Sequence, residues 1–284
     1  MSLLQDAACH LLAFVLTCTA SADHLITQGV SAFARKDYER AAIFYSEALG
    51  KPDVDLERRR KALRFRATAY HLANKPDLAE ADYTAIIKLD PSDATSWRER
   101  GQFYYAEDRY DLALADYDHG GRMAPSDGRF AAGKGRVFAA QNRHAEAIPY
   151  YDEAIRLDPQ SGSFVLARAE AFNLLKQHAR AIEDYDQAET LGKLVRYEKI
   201  RLHAGRGYAK LQLERYAPAI DDLDAALELA PDHTRALQWR ALALEKAGQT
   251  SRAIDDYQKL LRKDPLNEQA AARIQTLRAA TSAN

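Results

Sequence analysis

The sequence predicts an all-α protein, an α-solenoid of about seven helical hairpins closed by one further helix. Three observations point there. Pro91, Pro125 and Pro159 stand 34 residues apart, and Pro231 and Pro265 repeat that interval, so one unit is copied end to end. Small residues such as Gly101 and Ala113 recur beside Tyr104 and Tyr117, a pairing that lets two helix backbones approach while the rings fill the space alongside. Asp90, Asp158 and Asp264 precede three of the prolines, and a residue before proline is pushed out of helical geometry. The proline then opens the next helix at its first turn.

Counted from three residues after each proline, the copies fall at 22–55, 60–93, 94–127, 128–161, 162–195, 200–233 and 234–267. Residues 94–127 carry Trp97, Gly101, Tyr104, Ala113, Tyr117 and Pro125. The same slots give Gly135, Phe138, Ala147, Tyr151 and Pro159 in the next copy, then Ala169, Phe172, Ala181 and Tyr185, with Lys193 in place of the proline. Four extra residues, 56–59 and 196–199, precede two copies. Four is close to one helical turn of about 3.6 residues, so each insertion is expected to lengthen the following helix without rotating its buried face. Residues 268–284 read as a capping helix and tail, with Asn267 as its cap and Ala271, Ile274 and Leu277 as its apolar stripe. Length alone allows two domains; the repeat argues for one continuous array.

The pattern in 94–127 resembles the tetratricopeptide repeat signature, Trp-x2-Leu-Gly-x2-Tyr then Ala-x3-Phe and Pro, with Arg100 where the leucine stands. The resemblance covers nearly all of 22–267 and implies a right-handed superhelix of such hairpins, of a style close to bacterial repeat proteins. It also implies that the first helix of each repeat lines a concave groove for a peptide or partner helix. Residues at the second, fifth and ninth slots are then expected in that groove: Lys61, Arg64, Arg98, Gln102, Arg129, Arg136, Glu170, Arg201, Tyr208 and Arg235, with Tyr105 nearby. The N-terminal half of this set is basic, which suits an acidic or carboxylate-ended peptide; the alternative is a helix face solvated by long arginines. The carboxylate clamp of heat-shock cochaperones does not carry over, because Thr68, Glu99 and Gly133 occupy places where it has amides or cations.

The seventh slot, usually leucine, holds Arg66, Arg100, Lys134, Arg168, Arg206 and Arg240. Sixteen residues on stand Asp82, Asp116, Tyr150, Asp184, Asp222 and Asp256. Every arginine has an aspartate and the lysine does not, so the two slots vary together within one chain. An Arg–Asp pair between the two helices of five repeats is expected, since guanidinium meets carboxylate through two parallel hydrogen bonds.

The N-terminus differs. An apolar run at 11–16 is followed by Ala20, Ser21 and Ala22, a small-residue cleavage pattern that makes 1–22 a candidate signal peptide. Asp6 and the absence of Lys or Arg in the first ten residues count against it. Lipidation at Cys18 and an uncleaved helix packed on the first repeat are the alternatives. Cleavage removes both cysteines, Cys9 and Cys18, and only Asp6 among charged residues, leaving 40 acidic and 40 basic groups. Disulfides and thiolate chemistry are then excluded, and balanced charge gives no case for nucleic acid or anionic membrane.

No motif reads as catalytic or cofactor-binding. Gly128 to Lys134 nearly spells a phosphate loop, but Gly135 replaces the Ser or Thr needed for magnesium. Asp116 with Asp118, and Asp184 with Asp186, diverge by about 200° on a helix and cannot share one metal ion; one carboxylate is expected to pair inward and the other to be solvated. The eight histidines are dispersed, lack metal-ligand spacing and read as surface residues. The expectation is a non-enzymatic protein–protein interaction scaffold without cofactor or metal, periplasmic or secreted. An intracellular, cochaperone-like assembly adaptor with its N-terminus retained, and a helical accessory domain of an enzyme complex, are the other readings.

Overall fold

The computed structural model describes residues 20–282, so the apolar run at 11–16 and both cysteines lie outside the described residues. Among the described residues there are fifteen helices and no strand. The first six form three hairpins: α1 (Ala22–Ala34) with α2 (Tyr38–Leu49), α3 (Leu56–Leu72) with α4 (Pro76–Leu89), and α5 (Ala94–Ala106) with α6 (Tyr110–Met123). Four more follow: α7 (Gly128–Ala140) with α8 (His144–Leu157), α9 (Gly162–Leu174) with α10 (His178–Leu191), α11 (Arg196–Gln212) with α12 (Tyr216–Leu229), and α13 (Thr234–Lys246) with α14 (Thr250–Lys263). The final helix is α15 (Glu268–Ser282). The helices group into two compact units, dividing between Pro125 and Ser126. The 34-residue interval runs through that division unchanged, so periodicity alone does not reveal the grouping.

Each hairpin turn is three residues long and built one way. The chain enters the left-handed region at Lys36, Asn74, Asp108, Asn142, Lys176, Glu214 and Gly248, with φ between 56° and 75°. The following N–H reaches back five residues to a carbonyl, as from Asp37 to Ala32 at 3.0 Å and from Gln249 to Leu244 at 2.8 Å. That geometry closes the end of the first helix. Opening caps come mostly from aspartate: Asp37, Asp55, Asp93 and Asp127 accept from N–H groups of the first turn at 2.8–3.2 Å. The periodic prolines lie ahead of these caps, Pro91 three residues before α5 begins. They stop one helix but do not open the next, because the cap position falls two residues later, at Asp93, Asp127, Ser161, His233 and Asn267.

Both four-residue insertions extend helices. α3 and α11 have 17 residues where α5, α7, α9 and α13 have 13. The buried slots are unchanged: Ala62, Ala67 and Ala69 in α3, and Leu202, Gly207 and Ala209 in α11, match Ser96, Gly101 and Phe103 in α5. In the first unit the core joins Leu25, Ala41, Tyr45, Ala62 and Ala69. In the second it runs through Val165, Phe172, Tyr185 and Leu202, then Leu223, Leu237, Leu244 and Leu260. Asn267 caps α15 through Ala270 N at 3.0 Å. The buried stripe of that helix is Ala270, Ile274 and Leu277; Ala271, one position along, is only half-buried because it faces about 100° away.

The seventh-slot arginines form a ladder inside the hairpins. Nε and Nη2 of Arg66, Arg100, Arg168 and Arg240 donate in parallel to Asp82, Asp116, Asp184 and Asp256 at 2.6–2.8 Å. Arg206 meets Asp222 at 2.7–3.0 Å. The aspartates are 2–6% exposed. The remaining Nη1 of each arginine turns to the second helix of the preceding hairpin: Ser46, Thr84, Asp152, Asp186 and Asp224, at 2.6–3.2 Å. Lys134 instead lies over the Tyr150 ring, 5.1 Å from its centroid.

Asp222 is the most heavily engaged carboxylate. Burial pushes its pKa up, but the His203 ring 3.6 Å away, the hydrogen-bonded Arg206 and Lys210, and the Arg206 charge outweigh that and bring it from 3.8 to about 2. A pKa lowered by folding contributes stability above the unfolded value and loses it as pH falls through the folded one. Between pH 3.8 and about 2, the wild type is expected to lose about 2 kcal/mol relative to Asp222→Asn, read from urea midpoints across that range. Separately, Arg168→Ala leaves Asp184 buried without its partner and is expected to destabilise the protein by about 3 kcal/mol. A double-mutant cycle with Asp184→Ala measures the coupling, and a value of zero contradicts the pairing.

Candidate functional site

The expected groove residues fall into separate places. In the first unit, Lys61 and Arg64 line a recess of about 710 Å3 at the start of α3, together with Asp23, Asp55, Arg58 and Arg60. Arg98, Gln102 and Tyr105 are half-buried on α5, and Tyr105 lies against Tyr110 at 6.2 Å between centroids. In the second unit, Arg129 and Arg136 are exposed on α7. Glu170, Arg201, Tyr208 and Arg235 come together, lining one recess of about 530 Å3 formed by α9, α11 and α13.

Much of the basic character read from the slots is compensated. Arg64 donates to Glu99 at 2.6 Å, Arg129 to Asp127 at 2.7–3.0 Å, and Arg60 to Asp90 and Asp93. Arg58 bridges Asp23 and Asp55. The slots count cations along one helix face; carboxylates reach Arg58, Arg60 and Arg64 from the next or preceding repeat, 30–35 residues away in sequence, and Arg129 from the cap two residues before it, which the slot pattern does not register. Of the basic residues expected in the N-terminal half, Arg64 and Arg129 are thus compensated.

The recess of the second unit is built from rings and one exposed leucine. Tyr208 and Trp239 lie 4.7 Å apart between centroids, and His178 meets Tyr208 edge-on at 5.8 Å. Leu174, the last residue of α9, is 63% exposed at the rim. Asn173 is fixed between His178 Nδ1 at 2.8 Å and the Gly205 carbonyl, to which its Nδ2 donates at 3.0 Å. Burial, helped by Lys176, lowers the pKa of His178 and favours its neutral form. Gly205 has a packing reason: a Cβ there would come within 2.2 Å of the Tyr185 hydroxyl, whose pKa burial raises. Glu170 accepts two hydrogen bonds from Arg201. Arg235 is exposed and, among the described residues, meets no carboxylate.

Leu174, Trp239 and Asn173 were not singled out from sequence. Trp239 occupies the sixth slot and Leu174 the thirteenth, off the face assigned to the groove; the signal available was that both are large apolar residues at slots filled elsewhere by residues such as Gly133, Ala140 and Gln212. Other near-motifs resolve into packing. The glycines from 128 to 135 lie in α7, and a Cβ at Gly135 would come within 2.6 Å of the Tyr151 ring. Asp186, expected to be only solvated, accepts from Arg206 at 2.7 Å. The histidines at 71, 119, 144, 178, 203 and 233 are half-buried rather than on the surface, because a flat ring packs between helices, as His119 does on Trp97 at 3.9 Å. Among the described residues, no cluster of His, Cys, Asp or Glu could hold a metal ion, and no helix is long and apolar enough to cross a membrane.

Stretches 66–127, 118–162, 132–193 and 205–268 match the model of the tetratricopeptide repeat. Together they span more than half of the chain, which belongs to the tetratricopeptide repeat family. A curated relative, sperm-associated antigen 1 of Mus musculus, is 35% identical over 65 residues. That stretch spans 23% of this chain and 7% of the relative. Among solved structures, the Cut9–Hcn1 hetero-tetramer of APC/C is similar with a TM-score of 0.66 at 16% identity, covering 90% of this chain and 55% of that one. PilF of Pseudomonas aeruginosa is similar with a TM-score of 0.57 at 20% identity, covering 78% of this chain and 96% of that one. At these identities the likeness is one of fold.

Proposed function

We propose that this chain is a non-enzymatic scaffold holding a segment of a partner protein in the recess between α9, α11 and α13. The observation that carries the reading is the exposed apolar wall, Leu174 beside the Tyr208–Trp239 ring pair, in an open recess with a polar rim. Aromatic rings with few rotatable bonds are effective anchors for a bound chain. Family membership supports it, since stacked helical hairpins present extended binding surfaces. Leu174→Glu places a charge in the recess at an exposed position, so folding stability is expected to change by less than about 0.5 kcal/mol. Capture of partner by the full chain is expected to fall, while Arg98→Glu with Arg136→Glu is expected to matter less. Unchanged capture by Leu174→Glu moves the binding site elsewhere.

Export to the periplasm or medium is part of this reading, supported by the apolar run at 11–16 and the small residues after it. A second reading, an intracellular adaptor that retains its N-terminus, is favoured by one observation. Ser21 caps α1 by accepting from His24 N at 3.3 Å. Ala22 is fully buried and donates its N–H to Asp53 at 3.3 Å. Residues on the N-terminal side of the proposed cut thus belong to the first hairpin. Intact-mass measurement of the purified protein separates the two readings. A chain beginning at Asp23 is expected to be about 1 kcal/mol less stable than one beginning at Ala20, because the cap is gone.

A further inference from the structure

We propose that the recess of the second unit selects a partner segment presenting a bulky apolar or aromatic side chain next to a carboxylate, with Arg235 as the carboxylate's receptor. This rests on the groove reading above and adds its specificity. The argument comes from two pairs of equivalent positions. Arg201 and Arg235 occupy the same slot of successive repeats, 34 residues apart. Arg201 is neutralised by Glu170, on the preceding first helix. The residue equivalent to Glu170 one repeat later is Tyr208. The position that supplies the countercharge to Arg201 therefore supplies a ring to Arg235.

The consequence is local and electrostatic. The recess is lined by two guanidinium groups against one carboxylate, with His233 accepting a hydrogen bond from Ala236 N rather than offering a countercharge. The cation without a carboxylate partner shares that lining with Tyr208, which stands at the partner's position, and with Trp239. A free carboxylate meeting Arg235 gains a two-pronged, charge-assisted contact at little desolvation cost, because Arg235 is exposed. A large apolar side chain beside that carboxylate reaches the Trp239, Tyr208 and Leu174 wall. A basic segment finds no such match, since Glu170 is already held by two hydrogen bonds from Arg201.

A random dodecapeptide phage library, selected on the full chain and followed by titration of the enriched synthetic peptides, tests this. Enriched peptides are expected to share an aromatic or long aliphatic residue adjacent to Asp, Glu or a free C-terminus. Arg235→Glu is expected to weaken them about tenfold or more and to favour versions with Lys in place of the acid. Binding lost in Leu174→Glu but unaffected by Arg235→Glu keeps the groove and overturns the specificity proposed here. Binding unaffected by Leu174→Glu overturns both. A library that yields no enriched peptide also overturns the proposal.

Discussion

The structure depends on a planar cation with three directions to satisfy. An aspartate buried to a few per cent exposure is unfavourable unless its charge is met and its lone pairs are filled. Guanidinium does both through Nε and Nη2, and it does so across the two helices of one hairpin. That leaves Nη1 pointing away from the hairpin, toward the second helix of the hairpin before it. Ser46 and Thr84 answer with hydroxyls, and Asp152, Asp186 and Asp224 with carboxylates. Each arginine is thus fully bonded only when its own hairpin is closed and the preceding one is stacked in register. A buried ion pair is weak support for net stability, so its contribution here is to specify that stacking. Leucine in the same slot would pack without demanding any register.

The hairpin turns show a related division between local preference and imposed geometry. Asn74, Asn142, Asp108 and Gly248 tolerate a left-handed backbone, whereas Lys36, Lys176 and Glu214 adopt it with a penalty of about 1 kcal/mol each. The turn closes a helix with a five-residue hydrogen bond in every case, so packing of the two helices overrides residue preference at three of seven positions. Where Lys193 replaces the periodic proline, Gly192 and Lys193 are both left-handed and Leu194 is buried before α11 begins. The first copy departs as well, with Asp53 at the proline slot, and each of the two departures precedes one of the four-residue insertions.

The parts legible in sequence were those encoded by repetition. The 34-residue interval, the covariation of Arg with Asp across copies, and the four-residue insertions each compare one copy with another, and such comparisons survive without coordinates. What was not legible depends on which copy touches which. The third acceptor of the ladder sits 16 residues before its arginine in three cases and 20 in two, because the insertions fall between them. The carboxylates compensating Arg64 and Arg201 belong to adjoining repeats, 35 and 31 residues away. A slot count assigns the cations and misses the partners.

The same comparison between copies explains why the second unit's recess differs from its surroundings. Arg201 is paired with Glu170, whereas Arg235, at the same slot one repeat later, has Tyr208 at the position of that partner. In the ladder, an exception of this kind is absorbed: Lys134 loses its aspartate and rests on Tyr150. Around Arg235 it is not absorbed, since Tyr208 stacks on Trp239 instead. The departure leaves a solvated cation and an apolar wall lining one recess. Trp239 also packs against the core of the second unit, and the faces of the wall left open, beside that cation, have the chemistry of a surface shaped for another chain.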